Sequence, residues 1–155
     1  MTVQKKINIQ NKKARFEFEI LDKYVAGIQL TGTEIKSIRL SQARITESFC
    51  EFNDRGELFI VNMYIQEYMF GHHFNHNPKS ERRLLMNKRE LRSLKKDVEA
   101  KGNTIVPLRL FLNDKGFAKL EIALAKGKQT HDKREVMKDR DNKRDLSRIK
   151  KNFNA

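Results

Sequence analysis

The sequence predicts a mainly β protein: a small closed or partly open antiparallel β-barrel with two or three flanking helices and a basic C-terminal tail. Three observations carry this. Strand-like segments recur in pairs joined by turn signals, two of which, Asn53-Asp54-Arg55-Gly56 and Asn113-Asp114-Lys115-Gly116, are close in type. The strands do not alternate one by one with helices, as a parallel α/β sheet requires. Beyond Lys126-Gly127 the larger apolar residues thin to Val136, Met137, Leu146, Ile149 and Phe153, too few to order a packed unit alone. The chain therefore divides into a flexible basic N-terminus (1–10), a barrel (11–127) and a basic tail (128–155) that is disordered alone and helical on a polyanion.

Each element has a local reason. Phe16, Phe18 and Ile20 alternate with Glu17 and Glu19, which reads as a half-buried strand. Val25 to Leu30 reads as its partner after a turn near Asp22-Lys23, with Gly27 as a bulge or barrel corner. Thr33 caps a short helix over 34–40 whose Ile35 and Ile38 face the core. Residues 45–52 and 57–65 form a hairpin around the first turn. A loop marked by Gly71, Asn75, Asn77 and Pro78 covers 67–80, followed by a short strand at 83–86. Asn87 and Glu90 make a capping box for a helix with an apolar stripe of Leu91, Leu94 and Val98 and a basic face of Arg89, Arg92, Lys95 and Lys96. Gly102 stops it. Thr104 to Leu112 and 117–124 form the last hairpin, with Pro107 at an edge or bulge because it cannot donate to a ladder.

Charge narrows the function classes. The 155 residues carry a formal net charge of +13, and the excess is local. Residues 1–15 hold five bases and no acid, whereas 16–78 hold five bases against nine acids. Residues 79–101 hold nine bases against four acids, and 126–155 eleven against five. An acidic body with three basic attachments is the footprint of a protein that grips phosphates at separate places. No apolar run approaches the ~20 residues of a membrane helix. The first ten residues lack the apolar core of a secretory signal, and the single Cys50 fits a reducing cytoplasm.

Catalytic signals are missing. There is no nucleophile elbow, phosphate-binding loop, dinucleotide fingerprint or zinc-protease helix motif, and Cys50 on a strand reads as a buried inert thiol. The expectation is a protein that is not an enzyme and holds no cofactor. His72, His73 and His76 share a loop but lack the fourth ligand of a structural zinc site, so no metal is expected. Small partly open barrels include the oligonucleotide-binding class. Tyr24, Phe49, Phe52, Tyr64, Phe111 and Phe117 are candidates to stack on bases, though most are expected to fill the barrel interior.

Five segments together resemble one family. They are Asn11-Lys12-Lys13-Ala14-Arg15, Val25-Ala26-Gly27-Ile28-Gln29-Leu30, Gly32-Thr33-Glu34-Ile35-Lys36-Ser37, the run from Arg83 to Leu91, and the run from Ala125 through Lys126-Gly127-Lys128-Gln129-Thr130-His131-Asp132-Lys133-Arg134. In order and spacing they are similar to SmpB, the SsrA-binding protein family. The resemblance implies an oligonucleotide-binding-like barrel that binds the tRNA-like domain of transfer-messenger RNA at its D-loop elbow. It implies delivery of that RNA to stalled ribosomes for trans-translation. By position, Asn11, Lys12, Lys13, Arg15, Leu85, Asn87, Arg89 and Gly127 would face this RNA. His131, Asp132, Lys133, Arg134, Lys138, Arg144, Arg148, Ile149, Lys150 and Lys151 would meet the decoding centre and mRNA channel of the small ribosomal subunit. The resemblance implies a cytoplasmic monomer with no membrane or DNA partner. The alternative is a generic barrel-type RNA chaperone or ribosome-associated protein. Three positions depart from the family pattern: Val25 where many members have an acid, Thr33 where an aromatic is usual, and Lys150 in an Ile-Met-Lys-like element.

Overall fold

Ala118, Leu120, Ile122 and Leu124 fall on alternate positions, so one face of the last strand must be apolar, and all four side chains are buried. The structure, a computed structural model, describes residues 6–71, 73–100 and 102–128. In chain order these form β1 (Asn8–Gln10), α1 (Lys12–Glu17), β2 (Phe18–Ile28), α2 (Gly32–Arg39), β3 (Ala43–Arg44) and β4 (Phe49–Phe52). They continue as β5 (Leu58–Val61), β6 (Tyr64–Ile65), β7 (Arg82–Leu85), α3 (Lys88–Val98), β8 (Asn103–Leu112) and β9 (Ala118–Gly127). Seven strands make one antiparallel sheet in the order β1-β8-β4-β5-β7-β2-β9, and β9 pairs back onto β8. The pairings thus close a ring of six strands, with β1 added to the free edge of β8. β3 and β6 form a separate two-stranded ladder. The predicted mainly β antiparallel fold with three helices stands. The tail at 129–155 lies outside the described residues.

The turns behave as read. Gly56 and Gly116 take φ of 77° and 85°, values that side chains with a Cβ resist. Asn53 and Asn113 each accept backbone N–H groups on Oδ1, from Arg55 and Glu57 and from Lys115 and Phe117. Gly102, expected to stop α3, lies past its end: the helix closes at Val98 with Glu99 as cap, and Gly102 at φ 83° turns the chain into β8. Pro107 sits at a register shift in β8, where no ladder donor is needed.

Several expectations change. Residues 12–17 are helical, not extended: Asn11 caps α1, its Oδ1 accepting the Ala14 N–H at 3.2 Å. The strand begins only at Phe18. No turn interrupts it at Asp22-Lys23, because β9 pairs along it from Phe18↔Gly127 to Gly27↔Lys119 and a register shift between Ile20 and Asp22 absorbs the irregularity. The cap of α2 is Thr31 rather than Thr33, and Glu34 Oε1 accepts the Thr31 N–H at 2.9 Å. The strand expected over 45–52 starts at Phe49, after Glu47 at φ 70°, and the one over 57–65 breaks at Asn62, at φ 64°. The N-terminal segment read as flexible contains β1, held by pairing of Asn8, Ile9 and Gln10 with Phe111, Leu110 and Arg109.

The core also differs. Its fully buried large side chains are aliphatic, among them Ile38 of α2, Leu94 of α3, and Leu58, Ile60, Leu84, Ile105, Leu110 and Leu120 of the strands. No Phe or Tyr is buried among the described residues. A ring this narrow is filled by branched aliphatics together with Ile38 of α2 and Leu94 of α3, so rings such as Tyr24 and Phe52 pack only at its margin. A second, smaller cluster of Ala14, Val106, Leu108, Ala123 and Ala125 covers the outer face of β8 and β9. Its small residues let α1 lie close.

Candidate nucleic-acid interface

The sequence-derived candidates divide into two groups. The first surrounds α1. Lys12, Lys13 and Arg15 are exposed on this helix. Asn11, which precedes it, is 4% exposed. Its Nδ2 donates to the carbonyls of Pro107 at 3.0 Å and Ile45 at 3.4 Å, and its backbone N–H to Leu108 at 2.8 Å. Asn11 therefore fixes the helix that carries the cations. Lys13 forms ion pairs with Glu47 and, at 3.7 Å, Glu17. The Glu47 carboxylate beside it holds its ammonium above the ordinary lysine value. Lys12 and Arg15 take part in no ion pair among the described residues.

The end of β9 joins this group. Phe18 pairs with Gly127 and Glu19 with Lys126, and the Lys128 N–H donates to the Glu17 carbonyl at 3.2 Å. Lys128 Nζ lies 5.7 Å from the centroid of the exposed Phe16 ring. So the chain leaves the ring beside α1, and Lys126 and Lys128 add to Lys12 and Arg15. Only the β2–β9 register places them there, which sequence spacing does not reveal.

The second group lies where β7 meets α3. Leu85 is half-exposed opposite Gly27, and a Cβ on that glycine would stand 3.4 Å from Leu85 Cβ, so the strands approach closely here. Asn87 caps α3: its Oδ1 accepts the Glu90 N–H at 2.8 Å, and its Nδ2 donates to Glu90 Oε1 at 2.7 Å. With Leu94 inward, Lys88, Arg89, Arg92, Lys95 and Lys96 are exposed. Nine residue steps of β2 separate Phe18 from Gly27, about 30 Å along the strand. The far end of α3 runs back toward the first group: Asn103, the ladder partner of Lys126, donates through Nδ2 to the Asp97 carbonyl at 2.8 Å.

Other sequence signals resolve differently. His76 has both ring nitrogens engaged: Nε2 donates to the Ile65 carbonyl at 2.9 Å, and Nδ1 meets the Thr33 hydroxyl at 2.9 Å. His72 lies outside the described residues, as do His131, Asp132, Lys133, Arg134, Lys138, Arg144, Arg148, Ile149, Lys150 and Lys151. Cys50 is buried, and burial pushes its thiol far up, out of the nucleophilic range. Burial, aided by the Asp22 carboxylate that accepts its hydroxyl, also raises Tyr24. The buried ion pair of Arg82 and Glu34 escaped sequence reading, because its partners are 48 positions apart.

A closed ring of antiparallel strands with an aliphatic core and exposed cations on α1, at the end of β9 and along α3 is a nucleic-acid-binding module. Comparison with known proteins makes this specific. The family described as SmpB protein matches residues 8–152. A Flavobacterium psychrophilum protein named SsrA-binding protein is 68% identical over 149 residues, covering 96% of this chain and 99% of that protein. The SsrA-binding protein of Bacteroides thetaiotaomicron is 51% identical, covering 94% and 97%. A solved structure described as "tmRNA-SmpB: a journey to the center of the bacterial ribosome" is 45% identical with a TM-score of 0.67, covering 80% of this chain and 86% of that one. The chain belongs to the SmpB family.

Proposed function

We infer that this protein binds transfer-messenger RNA and serves ribosome rescue, with the RNA's tRNA-like domain held at its D-loop elbow. The observation that carries this is the family match over 8–152, which spans both the ring and the tail. Basic groups on the ring and in the tail suit a protein that must touch two RNAs. In this reading Asn11, Lys12, Lys13, Arg15, Leu85, Asn87, Arg89 and Gly127 face the tRNA-like domain. The +6 segment 126–155, which leaves the ring beside α1, reaches into the decoding centre and vacant mRNA channel through His131 to Arg134 and Ile149 to Lys151. The protein performs no chemistry itself and acts as a monomer in the cytoplasm, where ribosomes work.

Two measurements test it. The isolated tRNA-like domain should bind tightly and with strong salt dependence. Equal affinity for an unrelated RNA duplex of the same length would point to a generic RNA chaperone. Deleting 128–155 should leave that binding nearly intact and abolish tagging on stalled ribosomes. Loss of RNA binding in the deletion would refute the division of labour.

A further inference from the structure

Around β3 and β6, two surface cavities of about 500 and 280 Å³ share Tyr64 as a common wall. Tyr68, Met69, Asn75 and Pro78 line the larger, and Arg44, Asn62 and Lys79 the smaller. The larger is of ligand-pocket size. Both tyrosine rings have a cation over them: Arg44 Cζ lies 4.7 Å from the Tyr64 centroid, and Lys36 Nζ lies 5.5 Å from that of Tyr68. Phe70 packs edge-on against Tyr68 at 5.7 Å.

The loop that forms this groove is held from three sides. Asn75 accepts the Tyr68 N–H at 3.0 Å and donates to the Tyr68 carbonyl at 2.7 Å. His76 ties it to α2 and β6, as described above. Arg82 Nη2 donates to the carbonyls of Asn77 and Pro78 at 3.2 and 3.1 Å. A preformed site binds without the cost of ordering a loop. Arg44, Lys36 and Lys79 are all exposed. Of the two acids that line the groove, Glu47 is held by Lys13, leaving Glu67. Aromatic rings set among exposed cations suit a partner that has both flat faces and negative charge. An apolar peptide satisfies only the rings.

We propose that this groove holds a single-stranded segment of RNA, with an unpaired base against Tyr64 or Tyr68 and the flanking phosphates on Arg44, Lys79 and Lys36. Stacking on such rings tolerates any base, so the groove selects for unpaired RNA and not for a sequence. The proposal rests on the protein being RNA-binding but not on which RNA it carries.

The test titrates the full chain with a fluorescein-labelled oligouridylate of about ten nucleotides, a length within the range one small barrel covers. Y64L and Y68L should each weaken binding about tenfold. R44Q, at an exposed position, should weaken it without touching the packing. Unchanged affinity in all three variants overturns the proposal. Against the chance that a tyrosine variant misfolds, the wild-type chain is also irradiated with a 4-thiouridine-containing oligonucleotide and the cross-linked peptides mapped. Cross-links within 64–79 are expected; cross-links confined to 129–155 overturn it. The tRNA-like domain is titrated in parallel. If it fails to bind while the oligouridylate binds in the groove, the transfer-messenger reading falls and the groove stands.

Discussion

Glu34→Gln is the change that most directly tests how α2 and the 66–80 loop are held. Glu34 and Arg82 are 3% exposed, and each is matched almost atom for atom. One Glu34 oxygen accepts the Thr31 N–H and the other accepts Arg82 Nε; Arg82 Nη1 donates to the Met63 carbonyl at 2.7 Å, and Nη2 to Asn77 and Pro78. Glutamine has the same shape, but its amide offers one acceptor and one donor. Whichever way it turns, a donor faces a donor, and the guanidinium keeps a buried charge with no counter-ion. Breaking a buried pair in this way costs about 3–5 kcal/mol. At roughly 2–4 °C per kcal/mol for a chain of this size, the melting temperature should fall by roughly 10 °C. Thermal and guanidinium unfolding followed by circular dichroism measure it. The double variant E34L/R82M removes both charges and should recover part of the loss: the Pro78 and Asn77 carbonyls keep the Ile65 and Ser80 N–H groups, while the Met63 carbonyl and the Thr31 N–H lose their side-chain partners. A loss below about 1 kcal/mol in Glu34→Gln, or a double variant no more stable than Glu34→Gln, would refute the reasoning.

Other outcomes follow from single features. Asn87→Ala removes the α3 cap and should cost about 1 kcal/mol in chemical unfolding, with Arg89 left in place. Replacing Lys12 and Arg15 together by glutamine should weaken binding of the tRNA-like domain and flatten its log-affinity against log-salt slope by about one unit per lost phosphate contact. Cys50 should resist a thiol-disulfide reagent at pH 8 in the native protein and react fully in guanidinium, since burial both shields it and raises its thiol. For Tyr24 the folded-state value lies above the ordinary tyrosine value of about 10. Its contribution is therefore complete below pH ~10 and is lost as pH rises through the folded value. The wild type should lose stability above pH 10 more steeply than Tyr24→Phe.

What the sequence makes legible is what neighbours in the chain decide. The two Asn-Asp-x-Gly turns, the Asn87 cap, the Leu94 stripe and the Pro107 bulge all rest on interactions within a few positions. What it hides rests on distant partners. Phe16, Phe18 and Ile20 have a strand's period, yet residues 12–17 wind into a helix. The residue that starts that helix, Asn11, is anchored to carbonyls 34 and 96 positions away. The turn signal at Asp22-Lys23 is real as local chemistry, but a long continuous ladder with β9 outweighs it. Aromatics were expected inside because they are large and apolar. Ile and Leu side chains fill the ring, and that competition for a fixed volume cannot be read from any one segment.

The basic groups are spread along the ring. Lys12 and Arg15 lie near the Phe18 end of β2, Leu85 and the start of α3 near its Gly27 end, about 30 Å away along the strand. Lys126 stands beside the far end of α3, where its ladder partner Asn103 donates to the Asp97 carbonyl. The span from end to end exceeds the Debye length of about 8 Å, so the outermost cations repel one another little. Ring closure makes this possible: β2 is paired with β9 for nearly its whole length and with β7 at its end, so its two ends cannot approach one another. The aliphatic core is therefore tied to function through stiffness. Leu94→Ala, which opens a cavity under α3 at a cost of about 2–5 kcal/mol, should loosen the α3 surface without moving α1. Its signature would be weaker protection from hydrogen exchange in 88–98 with unchanged protection in 12–17. Equal loosening at both ends would mean that the ring does not isolate them.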